Sequence, residues 1–477
     1  MSEEQTPVSD PFVGYADELL ERAAHAALEL RTWDQPRIDG LIEAMAAAAF
    51  DARIELARLA HEETGMGVFE HKVQKNAWAS LVVAQDLRGR RTVGLRRDDR
   101  AAGITEYLEP LGPILALTPV TNPTSTVIFK VLSALKARNP LIFSFHRGAR
   151  KCSKEAARVM YDAALAYGAP EYSLQWIVKP QIEFVDRVMR HPKLALILAT
   201  GTPGIVRTAM TTGKPTLGVG PGNVPVYVHA SADLAEAARL ILHSKTFDNG
   251  TVCASEQTLI VERDVAAALR PLFDARGGYF CTPEQTAALG LIAFDPEKRS
   301  MRAEVVGRPA GAIAELAGFS VPERTRLLIA PIPRVDREQP LAHEILAPIL
   351  AWYEATDYAD ALDACAITLK LGGIGHTVGI HARSEVVISD ASILDAARIL
   401  INTPTTDGAV GGIWNQLRPS LSLATGPAAD NLLAENITVD HLLQVRRIAR
   451  PHPNRAFLDQ PRERWLDESL EYPCLGS

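Results

Sequence analysis

Apolar residues between Tyr15 and Leu87 recur at helical spacing, for example Leu19, Leu20, Ala23, Ala24, Ala27 and Leu28, in a stretch rich in Ala, Leu, Glu and Arg. The pattern predicts a mostly helical segment whose stripe packs on a core, although an amphipathic targeting helix has the same period. At Arg88 the period breaks. The run Arg88-Gly89-Arg90-Arg91-Thr92-Val93-Gly94-Leu95-Arg96-Arg97 has two glycines and no stripe, and the polar stretch up to Tyr107 predicts an extended arm able to pair with another subunit. After Glu109-Pro110-Leu111-Gly112 short apolar runs alternate with helical patterns. Pro113 to Leu117, Leu141 to Phe145 and Leu194 to Ala199 predict buried strands, and Ser153 to Tyr167 a helix closed by Gly168 and Pro170. A second series runs from Val224–Val228 through a helix at Ala232 to Ser244, past Cys253, to a strand from Thr258 to Val261. Strand, crossover helix and strand again imply parallel sheets with helices on their faces.

A chain of 477 residues, 47% hydrophobic and 22% charged, has room for two or three domains with sizeable cores. Its net charge of -7 argues against nucleic acid as the main partner. Five cysteines, at 152, 253, 281, 365 and 474, show no Cys-x-x-Cys pairing, so neither a disulfide framework nor a zinc site is expected. His343-Glu344 does not complete a His-Glu-x-x-His motif, because Ala347 stands where the second histidine belongs. No metal is predicted. The start Met1-Ser2-Glu3-Glu4-Gln5-Thr6 lacks a signal-peptide pattern and no apolar run could span a bilayer, which predicts a cytoplasmic protein with no membrane partner.

The strongest candidate for chemistry is Cys253, in Phe247-Asp248-Asn249-Gly250-Thr251-Val252-Cys253-Ala254-Ser255-Glu256-Gln257, where an Asn/Gly-rich bend can present a thiol as a nucleophile. A buried inert cysteine is the alternative. To ionise near neutrality a thiol needs neighbouring N–H dipoles or cations. A second candidate is the turn Thr200-Gly201-Thr202-Pro203-Gly204 between the strand ending at Ala199 and a helix from Ile205, where backbone N–H groups could face a phosphate or dinucleotide. It does not match Gly-x-Gly-x-x-Gly, and Gly213-Lys214-Pro215 does not complete a triphosphate loop. A plain strand-to-helix turn would look the same.

Together with Thr121-Asn122-Pro123-Thr124-Ser125-Thr126, Ser244-Lys245-Thr246, Gly375-His376-Thr377 and Asn402-Thr403-Pro404-Thr405, these runs resemble the aldehyde dehydrogenase superfamily over nearly the whole chain, and more closely its CoA-acylating branch. The resemblance implies an α/β fold with a Rossmann-type cofactor domain (1–87 and 111–230), an oligomerisation arm (88–110), an α/β catalytic domain (231–425) and a C-terminal return segment and arm (426–477). It implies NAD or NADP as cofactor and coenzyme A as cosubstrate. Cys253 would attack the aldehyde, and the Asn122 amide with the Cys253 N–H would hold the oxyanion. The bland reading of Asn122 is a turn cap before Pro123. Glu344, in Glu344-Ile345-Leu346-Ala347-Pro348, would hold the nicotinamide ribose; the alternative is a surface carboxylate. His146, after the strand ending at Phe145, would touch the adenosine end. Arg147, Arg150 and Lys151 would meet a phosphate or form a solvated loop. His376 would assist CoA or proton transfer, or be a hydrogen-bonded turn histidine.

Hydrolytic members carry a glutamate base in a Glu-Leu-Gly-Gly segment, whereas this chain has Gly218-Val219-Gly220-Pro221-Gly222-Asn223, with Gly218 at the base position. Without that carboxylate a thioester on Cys253 hydrolyses slowly, since general-base help is worth ~10² to ~10⁴-fold, and the acyl group passes to CoA. Glu256 is an alternative base. The expected reaction is reversible oxidation of a short-chain aldehyde to acyl-CoA; a non-acylating dehydrogenase making the free acid and a degenerate scaffold are the rivals. A homodimer or homotetramer is expected. The segment Pro419 to Asp430 has lost most of the glycines usual in acylating relatives, and the start lies near the family's first helix, so no added microcompartment-loading peptide is expected.

Overall fold

The computed structural model describes residues 11–471, which leaves Cys474 and the amino-terminal run Met1 to Thr6 outside it. Helices Pro11–Arg31, Gln35–Asp51, Arg53–Thr64 and Phe69–Ala77 form the predicted helical segment, which ends through a π-turn and Val83–Leu87. In the first helix the buried stripe is Ala16, Leu19, Leu20, Ala23, Ala26 and Leu30, whereas Leu28 is 66% exposed. The buried residues form one straight stripe, and Leu28 falls outside it because, at about 100° per residue, position 28 points away from the face shared by 16, 20, 23 and 30.

Five parallel strands form one sheet, in the order Leu174–Trp176, Leu141–Ser144, Ile114–Leu117, Leu196–Thr200, Thr216–Val219. One face buries Ile114, Leu141, Phe143 and Leu198 with the helices Gln35–Asp51, Pro123–Lys136 and Arg150–Tyr167. The other buries Leu115, Leu117, Ile142 and Ile197 under Pro11–Arg31 and Ile182–Arg190. The chain reverses its direction of growth at Ile114–Leu117, so the crevice beyond the carboxyl ends of that strand and Leu196–Thr200 is the switch point where such sheets take ligands. Thr118 to Asn122 and Thr200 to Gly204 leave from those two ends. Gly168, with φ of +94°, closes Arg150–Tyr167 in the left-handed conformation expected of it.

Seven parallel strands form the second sheet, in the order Gly278–Phe280, Leu327–Pro331, Ile349–Ala355, Glu256–Glu262, Val224–Val228, Gly375–His381, Ala396–Ile401. Val224–Val228 belongs to this sheet, so it begins before residue 231. Three neighbouring strands start with the residues that matter: Cys253 lies just before Glu256–Glu262, Gly222 just before Val224–Val228, and His376 is second in Gly375–His381. All three therefore gather at one edge. The polar stretch after Arg88 forms strands Gly94–Asp99 and Ile104–Pro110, joined by Leu443–Ala449 in an antiparallel three-stranded sheet. Among the described residues no helix is long and apolar enough to cross a membrane.

Candidate active site

The amino edge of the seven-stranded sheet meets the carboxyl edge of the five-stranded one at Cys253. The loop into it turns through two left-handed residues, Asp248 and Asn249, with φ of 48° and 53°, and Gly250 at 70°. A Cβ at Gly250 would lie 2.8 Å from the Ala347 carbonyl oxygen, so this bend tolerates no side chain there. Cys253 is partly buried. Burial, and then the charge of Glu344, push its thiol up to about 12, while Arg398 and Lys75 pull the other way. The predicted cations are thus present, but desolvation outweighs them in the ligand-free protein.

From the side of the five-stranded sheet, Asn122 approaches the loop that carries the thiol. Its Nδ2 donates to Thr121 Oγ1 at 3.0 Å and reaches the Thr251 carbonyl oxygen at 3.5 Å. Although Asn122 is the residue before Pro123–Lys136, its side chain makes no capping bond, which removes the turn-cap reading. Its Oδ1 accepts from Lys75 Nζ at 2.5 Å.

Gly222 is so close to the same loop that a Cβ there would lie 1.9 Å from the Cys253 carbonyl oxygen and 3.3 Å from His376 Cε1. Its N–H donates to Glu344 Oε1 at 2.8 Å. Glu344 is partly buried rather than a surface carboxylate, and burial lifts it to about 7 against the pull of the Gly222 N–H and Lys245. His376 is a fully buried strand residue, not a turn histidine. Its Nδ1 lies 3.0 Å from Thr377 Oγ1, its Nε2 has no hydrogen-bond partner among the described residues, and burial together with Arg398 keeps the ring neutral by holding its pKa well below the usual range. Arg398, which the motifs passed over, donates to the carbonyl oxygens of His376 and Ala424, each at 2.9 Å, and tethers this strand to the segment after Pro419.

Gly218 and Val219 end the last strand of the five-stranded sheet. A Cβ at Gly218 would approach Met210 Cε to 2.6 Å and Val206 Cγ1 to 2.8 Å, and the Gly218 carbonyl accepts from Asn431 Nδ2 at 2.6 Å. A glutamate at 218 would have to displace these groups. Gly220 packs on Thr425. Glu256, the alternative base, is fully buried and accepts from the Thr405 N–H at 3.1 Å. That ties it to the segment at 405, where Thr405 Oγ1 in turn donates to the Ala254 carbonyl at 2.6 Å.

Thr200, Gly201, Thr202, Pro203 and Gly204 run as predicted into a helix, Pro203–Met210, that begins without a side-chain cap. A Cβ built at Gly204 meets nothing within 4 Å, whereas one at Gly201 would lie 2.9 Å from Ile205 Cγ2, so the turn is open at Gly204 and closely packed at Gly201. Thr200 Oγ1 lies 3.5 Å from Ser422 Oγ. His146 accepts from the Gly148 N–H at 3.1 Å and shapes a tight turn, and burial lowers its pKa. Beyond it, the Glu63 carboxylate accepts from the Lys151 and Cys152 N–H groups at 2.9 and 2.7 Å, so an internal carboxylate occupies the start of that helix. Arg147 and Lys151 are exposed.

The sequence model of the aldehyde dehydrogenase family matches residues 13–411. This chain belongs to the aldehyde dehydrogenase family. It is 41% identical to the bifunctional aldehyde-alcohol dehydrogenase of Escherichia coli strain K12 over 449 residues, 93% of this chain and 50% of that protein. The chain thus spans about half the length of that curated relative. An acetylating aldehyde dehydrogenase from Geobacillus thermoglucosidasius is matched nearly end to end, with a TM-score of 0.90, 41% identity, and 93% of this chain and 98% of that one covered. A propionaldehyde dehydrogenase from Rhodopseudomonas palustris, solved with bound CoA and an acylated cysteine, has a TM-score of 0.80 at 25% identity, covering 91% of this chain and 97% of that one. The α/β architecture of this aldehyde dehydrogenase is therefore that of acylating members.

Proposed function

We propose that this aldehyde dehydrogenase oxidises a short-chain aldehyde to the corresponding acyl-CoA, using NAD or NADP and coenzyme A. The observation that carries the reading is that a chain with Cys253 as its candidate nucleophile has at position 218, which the family resemblance makes the base position of hydrolytic members, a glycine packed against Met210 and Val206. Cys253 Sγ attacks the aldehyde carbon, and the new oxyanion is held by Asn122 Nδ2 and the Cys253 N–H. Such preorganised donors act where charge develops, so they lower the barrier without reorganising. A bound oxidised nicotinamide supplies the hydride acceptor. Glu344, His146, His376 and the residues Thr200 to Gly204 and Gly218 to Gly220 shape the space for cofactor and CoA. With no activated water, the CoA thiolate displaces Cys253 from the thioester, and the cysteine leaves as thiolate. The CoA-bound, acylated Rhodopseudomonas relative supports the second half-reaction.

Formation of NADH or NADPH from small aldehydes, with and without CoA, tests the reading. Turnover that needs CoA and yields acyl-CoA is expected. Undiminished multiple turnover without CoA, with free acid as product, would show a hydrolytic enzyme instead.

A further inference from the structure

The helix Phe69–Ala77 carries the sequence Phe-Glu-His-Lys-Val-Gln-Lys-Asn-Ala, and its buried residues are Lys72, Lys75 and Asn76. A helix normally turns apolar side chains inward, and lysine is among the residues least often buried unless paired. Here the inward face is polar, and each member reaches a segment bearing a site residue. Lys72 Nζ lies 3.1 Å from Asp248 Oδ2. Asn76 Oδ1 accepts from Thr124 Oγ1 at 2.8 Å, two residues after Asn122. Lys75 touches both sides: its Nζ pairs closely with Asp248 Oδ2, lies 3.3 Å from Thr251 Oγ1 and donates to Asn122 Oδ1 at 2.5 Å.

An amide has a donor end and an acceptor end, and a buried ammonium tolerates only the acceptor. Lys75 therefore decides which way Asn122 faces. Rotating the amide would set an NH₂ against an NH₃⁺ and withdraw the donor from Thr121 Oγ1 and from the Thr251 carbonyl, two residues before the thiol. Asp248 keeps the ammonium in place: its carboxylate also accepts from the Val68 N–H and from Thr251 Oγ1, each at 2.7 Å, so the anchor has no spare freedom.

We propose that Lys75 is a positioning residue for the oxidation of aldehyde, its ammonium anchored on Asp248 so as to lock the Asn122 amide with its NH₂ toward the developing oxyanion. The proposal rests on the reading of Asn122 as an oxyanion donor. Burial lowers the Lys75 pKa to about 8, with Asp248 opposing, and its remaining charge lies close enough to Cys253 to favour the thiolate.

A double-mutant cycle on kcat tests it, using Lys75→Met, Asn122→Ala and the pair, in this chain of 477 residues with aldehyde, CoA and cofactor. Each single change is expected to lower kcat by about 10²-fold, the loss of one oxyanion donor, with KM for aldehyde little changed. In the Asn122→Ala background Lys75→Met should cost no more than about threefold further, because coupled residues are not additive. Independent full losses would overturn the proposal, and wild-type kcat in Asn122→Ala would show that the oxyanion reading itself is wrong. Should Lys75→Met fail to fold, Lys75→Met with Lys72→Met and Asp248→Asn removes all three buried charges together. A neutron structure, or a crystal structure of either variant at about 1.2 Å or better, where the amide oxygen and nitrogen can be told apart, gives a readout free of turnover: the Asn122 amide is expected to rotate and donate to residue 248, and an unmoved amide would refute the lock.

Discussion

At the residue scale, the site is governed by how burial and charge set the thiol. Glu344 raises the Cys253 pKa and itself titrates near pH 7. Replacing it as Glu344→Gln removes a negative charge that exists only above that pH. The variant is expected to alkylate faster than the parent at pH 8 and at an equal rate at pH 6, which rates of iodoacetamide labelling at Cys253 would check. The same change should weaken cofactor binding if Glu344 holds the nicotinamide ribose, which separates the two roles in one protein. Cys253→Ala is expected to abolish turnover while leaving cofactor binding intact, as measured by fluorescence titration.

At the element scale, three strands begin together because glycines let backbone meet backbone. Gly375 has φ of +75°, and a Cβ there would lie 1.7 Å from the Thr425 carbonyl oxygen. Gly375→Ala should destabilise the fold by about 2 to 4 kcal/mol, combining strain at a left-handed residue with overpacking. Urea unfolding measures that cost. The seat of His376 and the Arg398 bonds to Ala424 should loosen with it, so proteolysis in the segment after Pro419 should quicken. The helix Pro123–Lys136 shows another requirement: all its residues are buried, and Lys130 Nζ donates to the carbonyl oxygens of Leu117 and Leu198 at 2.6 and 3.0 Å. It thereby ties the end of Ile114–Leu117 to the middle of Leu196–Thr200, the two strands that flank the switch point.

At the scale of the whole molecule, buried ionisable groups make stability depend on pH in a definite direction. Burial depresses Lys75 to about 8 and Lys130 and Lys245 to about 7, from 10.5. Between pH 7 and 10 the unfolded chain holds protons that these folded lysines have released, so stability rises with pH. The buried cysteines act in the opposite sense. Cys253 and Cys281 are raised to about 12, and Cys152 and Cys365 are raised as well, so the unfolded thiols ionise above pH ~8.5 while the folded ones stay protonated. Unfolding free energy is therefore expected to climb from pH 7 to about 8.5 and to decline above pH 9. Denaturant titrations across that range would reveal the maximum, and a monotonic fall from pH 7 would contradict it.

Local patterns determined much of this protein. Apolar periodicity is imposed by backbone geometry, so the helix Arg150–Tyr167, the strand Ile114–Leu117 and the parallel βα alternation were legible, as were the runs around Cys253 and Asn122. The absence of a carboxylate at 218 is plain in the sequence, and the structure adds the close packing of Met210 and Val206 against Gly218. Only the tertiary structure decided what surrounds the thiol. Lys75 and Thr251 are 176 residues apart, and Arg398 reaches His376 from a neighbouring strand. No local pattern records such meetings, because they depend on strand order and on which sheet edges face each other. The same holds for burial: Glu344 and His376 look like ordinary polar residues in sequence, and it is their desolvation by distant segments that shifts their protonation.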